Sequence, residues 1–415
     1  MVSFGKENKI LVVEVSPRRL AGIFVEMAGE SPRVLRIIHL QHPEGFQKGE
    51  VTHPDKAFQS MEEMLKRLEL GEKAFEIPTY VLISHPSLKM TRFSSSMSYA
   101  GYPRAVTFQE VQRVIEQTRS VALLPLDEWV LQLVPESFWV NDLKGVENPV
   151  GLEANRLAVV LQIFTMDYGT FRNLSRIFEN LEMNVRGYYP KTLVLPDGLL
   201  NPAERERETL ILDISDEVTH LVLTRGGKLT QTQSLDLGAS ALTDCISETW
   251  QLGVHDAEAL MERFGSFQEK TNFGEELIPL LERNGHKNHQ IKRSEFHQAF
   301  YGFGEKFLSE LHQEVTRFLA EEKLAYPQWV VTGRGAKLDG FLDLLGRVSS
   351  AAVKLGTPRP TEGASELQID PGWAGTVGLL RWLQRGENLR FPSAAKDNLF
   401  ERTLGQVKEW LAAYF

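Results

Sequence analysis

Hydrophobic positions near the start of the chain fall into short blocks. Residues 10–15 are apolar except for Glu14 and stop at the polar break Ser16-Pro17-Arg18-Arg19. Residues 21–26 and 33–40, rich in Val, Ile and Phe and separated by Ala28-Gly29-Glu30, predict two further strands. Phe58, Met61, Leu65 and Leu68 then recur at helical spacing, and residues 80–84 predict another strand. About 200 residues later the same order returns, as in an internal duplication. Residues 209–214 form an apolar run holding Asp213, and 215–218 form a polar turn. Strands at 220–224 and 228–235 flank the hairpin turn Arg225-Gly226-Gly227, and helical patterns follow at 242–250 and 257–264. Two copies of strand-turn-strand-turn-strand-helix predict a duplicated α/β fold, against the competing reading that any α/β protein repeats such units by chance.

Between the copies, Thr107 and Glu110 fit a capping box ahead of Val111, Val114, Ile115 and Thr118 on one helical face. Residues 129–140 and 156–164 read as strands, so this stretch predicts a small inserted α/β module. Phe296, Phe300, Phe303, Phe307, Leu311, Val315 and Phe318 mark a long amphipathic helix whose aromatic stripe reads as core. Residues 384–397 combine low hydrophobicity with small and charged residues and read as a linker.

Beyond the linker, Phe400, Leu404, Val407, Leu411 and Tyr414 recur at four- and three-residue steps, flanked by Trp410 and Phe415. Glu401, Arg402, Gln406, Lys408 and Glu409 lie opposite. An apolar face closed by Trp, Tyr and Phe suits the headgroup boundary of a membrane, with docking on the protein's own core or on a partner as the competing reading. The four charges cancel, so attraction to anionic lipid is modest and binding rests on apolar burial and on avidity in a polymer.

Composition narrows the field. A chain of 415 residues is expected to form two or more subdomains, and 42 % apolar with 24 % charged residues is ordinary for a globular protein. The net charge of −9, without a long Lys/Arg run, argues against a general nucleic-acid binder. Cys245 is the single cysteine, which excludes an intrachain disulfide, and it reads as a small core residue. The first nine residues lack an apolar run, so no secretory signal is expected, and no stretch approaches the roughly 18 to 20 apolar residues of a membrane span. His286 and His289 lie in a polar loop with no Cys or carboxylate at ligand spacing, so a metal site is not expected there.

Several segments together resemble the FtsA family of actin-like cell-division proteins over nearly the whole chain. Asn148-Pro149-Val150-Gly151-Leu152 with Arg156-Leu157 is similar to the family's (D/N)PVG…RL segment. Residues 111–123 and Leu133-Val134-Pro135-Glu136 resemble stretches of its inserted 1C subdomain. Residues 331–340, V-T-G-R-G-A-K-L-D-G, resemble its adenosine loop, and 373–379, W-A-G-T-V-G-L, a later helix. The resemblance implies an actin/Hsp70/hexokinase-type duplicated fold with an inserted 1C subdomain and a C-terminal amphipathic helix. It implies subdomain 1A at 1–86 and 166–204, and 1C at 87–165. Subdomain 2A would take 205–265 and, with a closing 1A helix, 329–383, while 2B would take 266–328. A linker at 384–398 and a membrane-targeting helix at 399–415 would follow. It implies nucleotide between 1A and 2A, with ATP and Mg as cofactors, and polymerisation of the chain with copies of itself. As further partners it implies the C-terminal peptide of FtsZ, captured by 2B, and membrane lipid.

An actin-type site needs tight glycine turns that bring backbone N–H groups to phosphate, with an acidic residue at each strand end to position the metal. The resemblance places Glu14, Arg19, Asp213, Glu258, Gly333 and Gly335 at nucleotide-binding positions. The chain departs from the family pattern around each of them. Pro17 removes a backbone donor from the first phosphate turn, and Arg19 stands at the family's lysine position. Asp216 and Glu217 replace glycines of the second turn, Met261 replaces a lysine, and Arg334 replaces the middle glycine of the adenosine loop. Weak or absent hydrolysis is expected. ATP binding remains open, as does a loop-capping role for Glu14 and Asp213.

Lys287, Lys292 and Arg293 form the local basic cluster of the 2B stretch, either a seat for an acidic peptide or a solvated loop. The runner-up resemblance is to PilM-like cytoplasmic platforms of type IV pilus or secretion assembly, carried by Leu124-Pro125-Leu126-Asp127-Glu128. A sugar or acetate kinase on the same fold would need intact phosphate loops and is disfavoured by Pro17 and Asp216.

Overall fold

Residues Lys9–Ser16 form strand β1, in which every position after Lys9 is buried, as expected for the middle of a sheet covered on both faces. The computed structural model describes residues 9–27, 32–71, 75–269, 273, 275–280, 289–324, 327–363, 367 and 370–385. These divide into two compact units. The first takes the residues up to 198 with 360–365 and those from 375, and the second takes 199–359 with 366–374.

In the first unit, β1 pairs antiparallel with β2 (Arg19–Glu26), and β2 with β3 (Arg33–Gln41). Helix α1 (Pro54–Arg67) follows, with Pro54 in its first turn, Asp55 near its positive end and Lys66 and Arg67 near its negative end. It buries Ala57, Met61, Met64 and Leu65 against the sheet core. Strand β4 (Thr79–Ile83) lies parallel to β1.

The chain then leaves to form a second sheet from β5 (Lys89–Ser98), β6 (Glu128–Val140), β7 (Leu143–Val146) and β8 (Arg156–Asp167), in the order β7-β6-β8-β5. Helix α2 (Phe108–Val121) covers it. Thr107 caps that helix as the sequence predicts: its side chain accepts from the Glu110 N–H, while the Glu110 carboxylate accepts from the Thr107 N–H at 2.7 Å. Leu157, Val159, Leu161 and Ile163 alternate along β8 into the same core as Val111, Val114 and Ile115.

Helix α3 (Tyr168–Asn180), strand β9 (Val185–Pro190) and helix α4 (Lys191–Leu199) return the chain to the first sheet. Its order is β9-β4-β1-β2-β3, with β9 parallel to β4. The side-chain amide of Gln132 donates to the Tyr188 carbonyl at 2.9 Å and ties the inserted sheet to β9.

The second unit repeats this topology. Strand β10 (Thr209–Ile214) pairs antiparallel with β11 (Thr219–Arg225), and β11 with β12 (Lys228–Leu235). Gly226 and Gly227 both take positive φ, as a two-residue turn between right-twisted strands requires. Helices α5 (Ser240–Trp250) and α6 (Val254–Phe264) follow, then the short hairpin β13 (Leu277–Leu280) and β14 (His289–Lys292). Helix α7 (Arg293–Glu321) is 29 residues long. Strands β15 (Gln328–Thr332) and β16 (Val353–Leu355), with α8 (Phe341–Ser349) between them, complete a sheet of order β12-β11-β10-β15-β16. Strand β15 runs parallel to both β10 and β16. The duplication predicted by pattern is therefore present strand for strand. The last described helix, α9 (Ala374–Gln384), belongs to the first unit from Gly375 onward.

The stripe on α7 is core, with Phe296, Phe300, Phe307, Leu311, Val315 and Phe318 buried. Phe303 is half-buried, edge-on to Trp250. Two sequence expectations change. Cys245 is half-buried on α5 rather than enclosed in the core, and burial pushes its thiol pKa up. His289 opens β14 instead of lying in a loop, because its backbone pairs with Leu280. His286 and the tail positions Phe400, Leu404, Val407, Trp410, Leu411, Tyr414 and Phe415 lie outside the described residues, as does the linker beyond Arg385; Gln384 closes α9. Among the described residues no helix is long and apolar enough to cross a membrane.

Candidate functional site

Glu14 is the one charged position of the buried part of β1 and is fully enclosed. An isolated carboxylate there would be prohibitive, so its oxygens must be matched by the surrounding chain. Arg19 Nη2 donates to Glu14 Oε1 and Thr376 Oγ1 to Glu14 Oε2, each at 2.7 Å. Arg19 is itself only 5 % exposed. The two residues face one another because Ser16 and Arg19 are register partners across a two-residue turn at Pro17 and Arg18, which the Ser16 hydroxyl closes by donating to the Arg19 carbonyl at 3.1 Å. Burial alone would raise the Glu14 pKa. The Arg19 and Lys191 charges and the bonds from Thr376 and Arg19 outweigh it and hold the carboxyl below the usual range. Lys191, at the start of α4, is buried. Gly375 makes room for it, since a Cβ there would lie 2.7 Å from Lys191 Cγ.

In the second unit, Asp213 is the fifth residue of β10 and is likewise fully enclosed. Gly333, directly after β15, presses on the end of β10. Its φ is +87°, and a Cβ there would lie 2.4 Å from the Ile214 carbonyl oxygen and 2.6 Å from Asp213 Oδ1. Gly335 sits against the Ile214 side chain. The structure thus brings Asp213, Gly333 and Gly335 together at one pair of strand ends.

The turn after β10 is closed by its own backbone. The Ser215 N–H donates to the Val218 carbonyl at 2.9 Å, and the Ala239 and Ser240 N–H groups donate to the Ser215 and Asp216 carbonyls at 3.0 and 2.6 Å. Arg334 Nη1 reaches Asp216 Oδ2 at 3.3 Å. On α6, Ala257 is buried while Glu258 is partly exposed. Met261, in place of a lysine, accepts from Thr243 Oγ1 at 3.6 Å.

The basic pair at the foot of α7 splits by environment. Arg293 lies over the rings of Phe264 and Phe273 at 4.7 and 4.8 Å and donates to the Phe264 carbonyl at 2.7 Å. Lys292 is exposed, 3.5 Å from the exposed Glu275. Lys287 lies outside the described residues.

Sequence reading passed over Thr376 and Lys191 as partners of Glu14. Thr376 lies within the W-A-G-T-V-G-L segment, but nothing in its spacing points to a residue 362 positions away. A lysine at the junction of a strand and a helix carries no signal of burial either.

Comparison with known proteins assigns this architecture. The family model described as "SHS2 domain inserted in FTSA" matches residues 87–165, the stretch that carries the inserted sheet. The model described as "Cell division protein FtsA" matches residues 210–378. A curated relative named "Cell division protein FtsA" from Borreliella burgdorferi is 21 % identical over 409 residues, covering 98 % of both chains. Among solved structures, a "PilM-PilN type IV pilus biogenesis complex" aligns with TM-score 0.63 and 18 % identity over 90 % of this chain and 98 % of that one. "MreB5 of Spiroplasma citri bound to ADP" aligns with TM-score 0.51 and 11 % identity over 93 % of this chain and all of that one. At such identities these two structures establish the actin-like fold. The two family models fall in chain order and together span more than half of the sequence, and the chain belongs to the FtsA family of cell-division proteins.

Proposed function

We propose that this chain is an adaptor of the FtsA type, which joins FtsZ polymers to the cytoplasmic face of the bacterial inner membrane at the division site and assembles with copies of itself. The observation that carries the reading is the four-stranded sheet inserted between β4 and α3 of an actin-like unit, matched by the model for the insert of this family. The membrane end is assigned to residues 399–415, whose stripe of Phe400, Leu404, Val407, Leu411 and Tyr414 with Trp410 and Phe415 suits a headgroup boundary. The segment has balanced charge, so a single copy binds weakly and a polymer of copies binds firmly.

The FtsZ end is assigned to the hairpin and helix start around Lys292 and Arg293. Lys292 is exposed and its pairing with Glu275 is an easily displaced surface contact, so it offers a positive group to an acidic peptide. Arg293, clasped by Phe264 and Phe273, would shape that seat more than contact the peptide.

A pull-down with the full chain tests the reading, using an immobilised FtsZ C-terminal peptide beside a PilN-type N-terminal peptide. Retention on the FtsZ peptide, weakened by Lys292→Glu, supports it. Retention on the PilN-type peptide alone overturns it in favour of a pilus platform.

A further inference from the structure

The resemblance gives ATP and Mg to the ends of β1, β10 and β15, and several of the groups standing there are taken up by the chain itself. Phosphate is held by backbone N–H groups turned outward from a loop. In the first unit Pro17 has no N–H, and the Arg19 guanidinium is enclosed on Glu14. Glu14 has one oxygen on Arg19 and the other on Thr376, so its carboxylate is already bound by the chain's own donors. In the second unit the Ser215, Ala239 and Ser240 N–H groups already have carbonyl acceptors at 2.6 to 3.0 Å. Arg334 offsets the Asp216 charge, and Glu217 leaves the turn net negative, which disfavours a phosphate there. Gly238 packs closely against that turn, where a Cβ would lie 2.4 Å from the Asp216 carbonyl oxygen. The turns after β1 and β10 do not fit the phosphates of a magnesium-bound nucleotide.

We infer that this chain reaches and keeps its folded form without nucleotide. The ion pairs Glu14–Arg19 and Asp216–Arg334 close, within their own units, the two loops that a nucleotide would otherwise close. The inference rests on the family assignment for which loops are concerned, and it deepens the adaptor reading by making assembly independent of ATP.

The test uses the full chain, stripped with EDTA, and an N-methylanthraniloyl-labelled ADP with MgCl2. Fluorescence is expected to show no saturation up to about 1 mM, and unlabelled ADP or ATP is expected to move the melting temperature by less than about 1 °C, whereas a ligand far above its Kd adds several degrees. Saturable binding below about 100 μM, or a magnesium-dependent rise above about 3 °C, overturns the inference. Asp216→Ala and Arg334→Ala serve as a second arm, each expected to lower the nucleotide-free melting temperature by about 1–3 °C, with the double variant no lower than the worse single one. Additive losses, or no loss, overturn the role of that pair. A chain that ignores both nucleotide and FtsZ peptide supports this inference while overturning the adaptor reading, and one that binds peptide only with ATP does the reverse.

Discussion

Arg334 Nη1 lies 3.3 Å from Asp216 Oδ2, joining two positions 118 residues apart that each replace a glycine of the family pattern. Taken singly, either residue departs from the nucleotide loop that the resemblance implies. Together they form a pair whose side chains are 29 % and 25 % exposed, shielded enough to matter and solvated enough to stay modest. Truncating either partner is expected to cost about 0.5–1 kcal/mol, and the double variant about the same as one single, as read by urea denaturation in a double-mutant cycle.

Glu14 predicts a pH dependence. Its folded pKa is depressed, so the stability it contributes is fully present above the unfolded glutamate value and is lost as pH falls through the folded one. Stability measured from neutral pH downward should therefore begin to fall near about pH 4.3, and Glu14→Gln should flatten that limb while lowering the plateau. Arg19→Met leaves a buried carboxylate with Thr376 and the Lys191 charge but without its ion-pair partner, and should cost about 3–5 kcal/mol.

Two glycines on α7 should respond in opposite directions. Gly302 is exposed with nothing within 4 Å of a Cβ, so Gly302→Ala should stabilise the chain by about 0.5–1 kcal/mol. Gly304 lies under the Phe267 ring, where a Cβ would approach Cε1 to 2.1 Å, so Gly304→Ala should cost about 1–3 kcal/mol. Thermal melts of the two variants check the pair.

Thr107→Ala removes the side-chain acceptor of the Glu110 N–H while leaving Glu110 bonded to Arg104. A loss of about 1 kcal/mol in denaturant unfolding is expected from the missing cap.

Local signals made much of the fold legible. The Ile10 to Val15 run, the Thr107 to Glu110 capping box, the Gly226-Gly227 turn and the phenylalanine spacing of α7 each act within a few residues, and each became the element it predicts. Long-range pairing was not legible. Arg334 and Asp216 read as two separate faults in a nucleotide loop because sequence holds no measure of their 3.3 Å approach. Thr376 reaches Glu14 only once α9 packs beside β1, and Lys191 is enclosed only because Gly375 lacks a side chain. Cys245 was misplaced for a related reason: residue type favours burial, but its face of α5 decides exposure.

The adaptor reading is tested most directly by sedimenting FtsZ polymers with vesicles carrying anionic lipid, comparing the full chain with one ending at Asp397, in EDTA-treated buffer without ATP. The account predicts that FtsZ pellets with vesicles when the full chain is present and stays in the supernatant with the shortened chain. Equal pelleting by the two chains, or none by either, would contradict it.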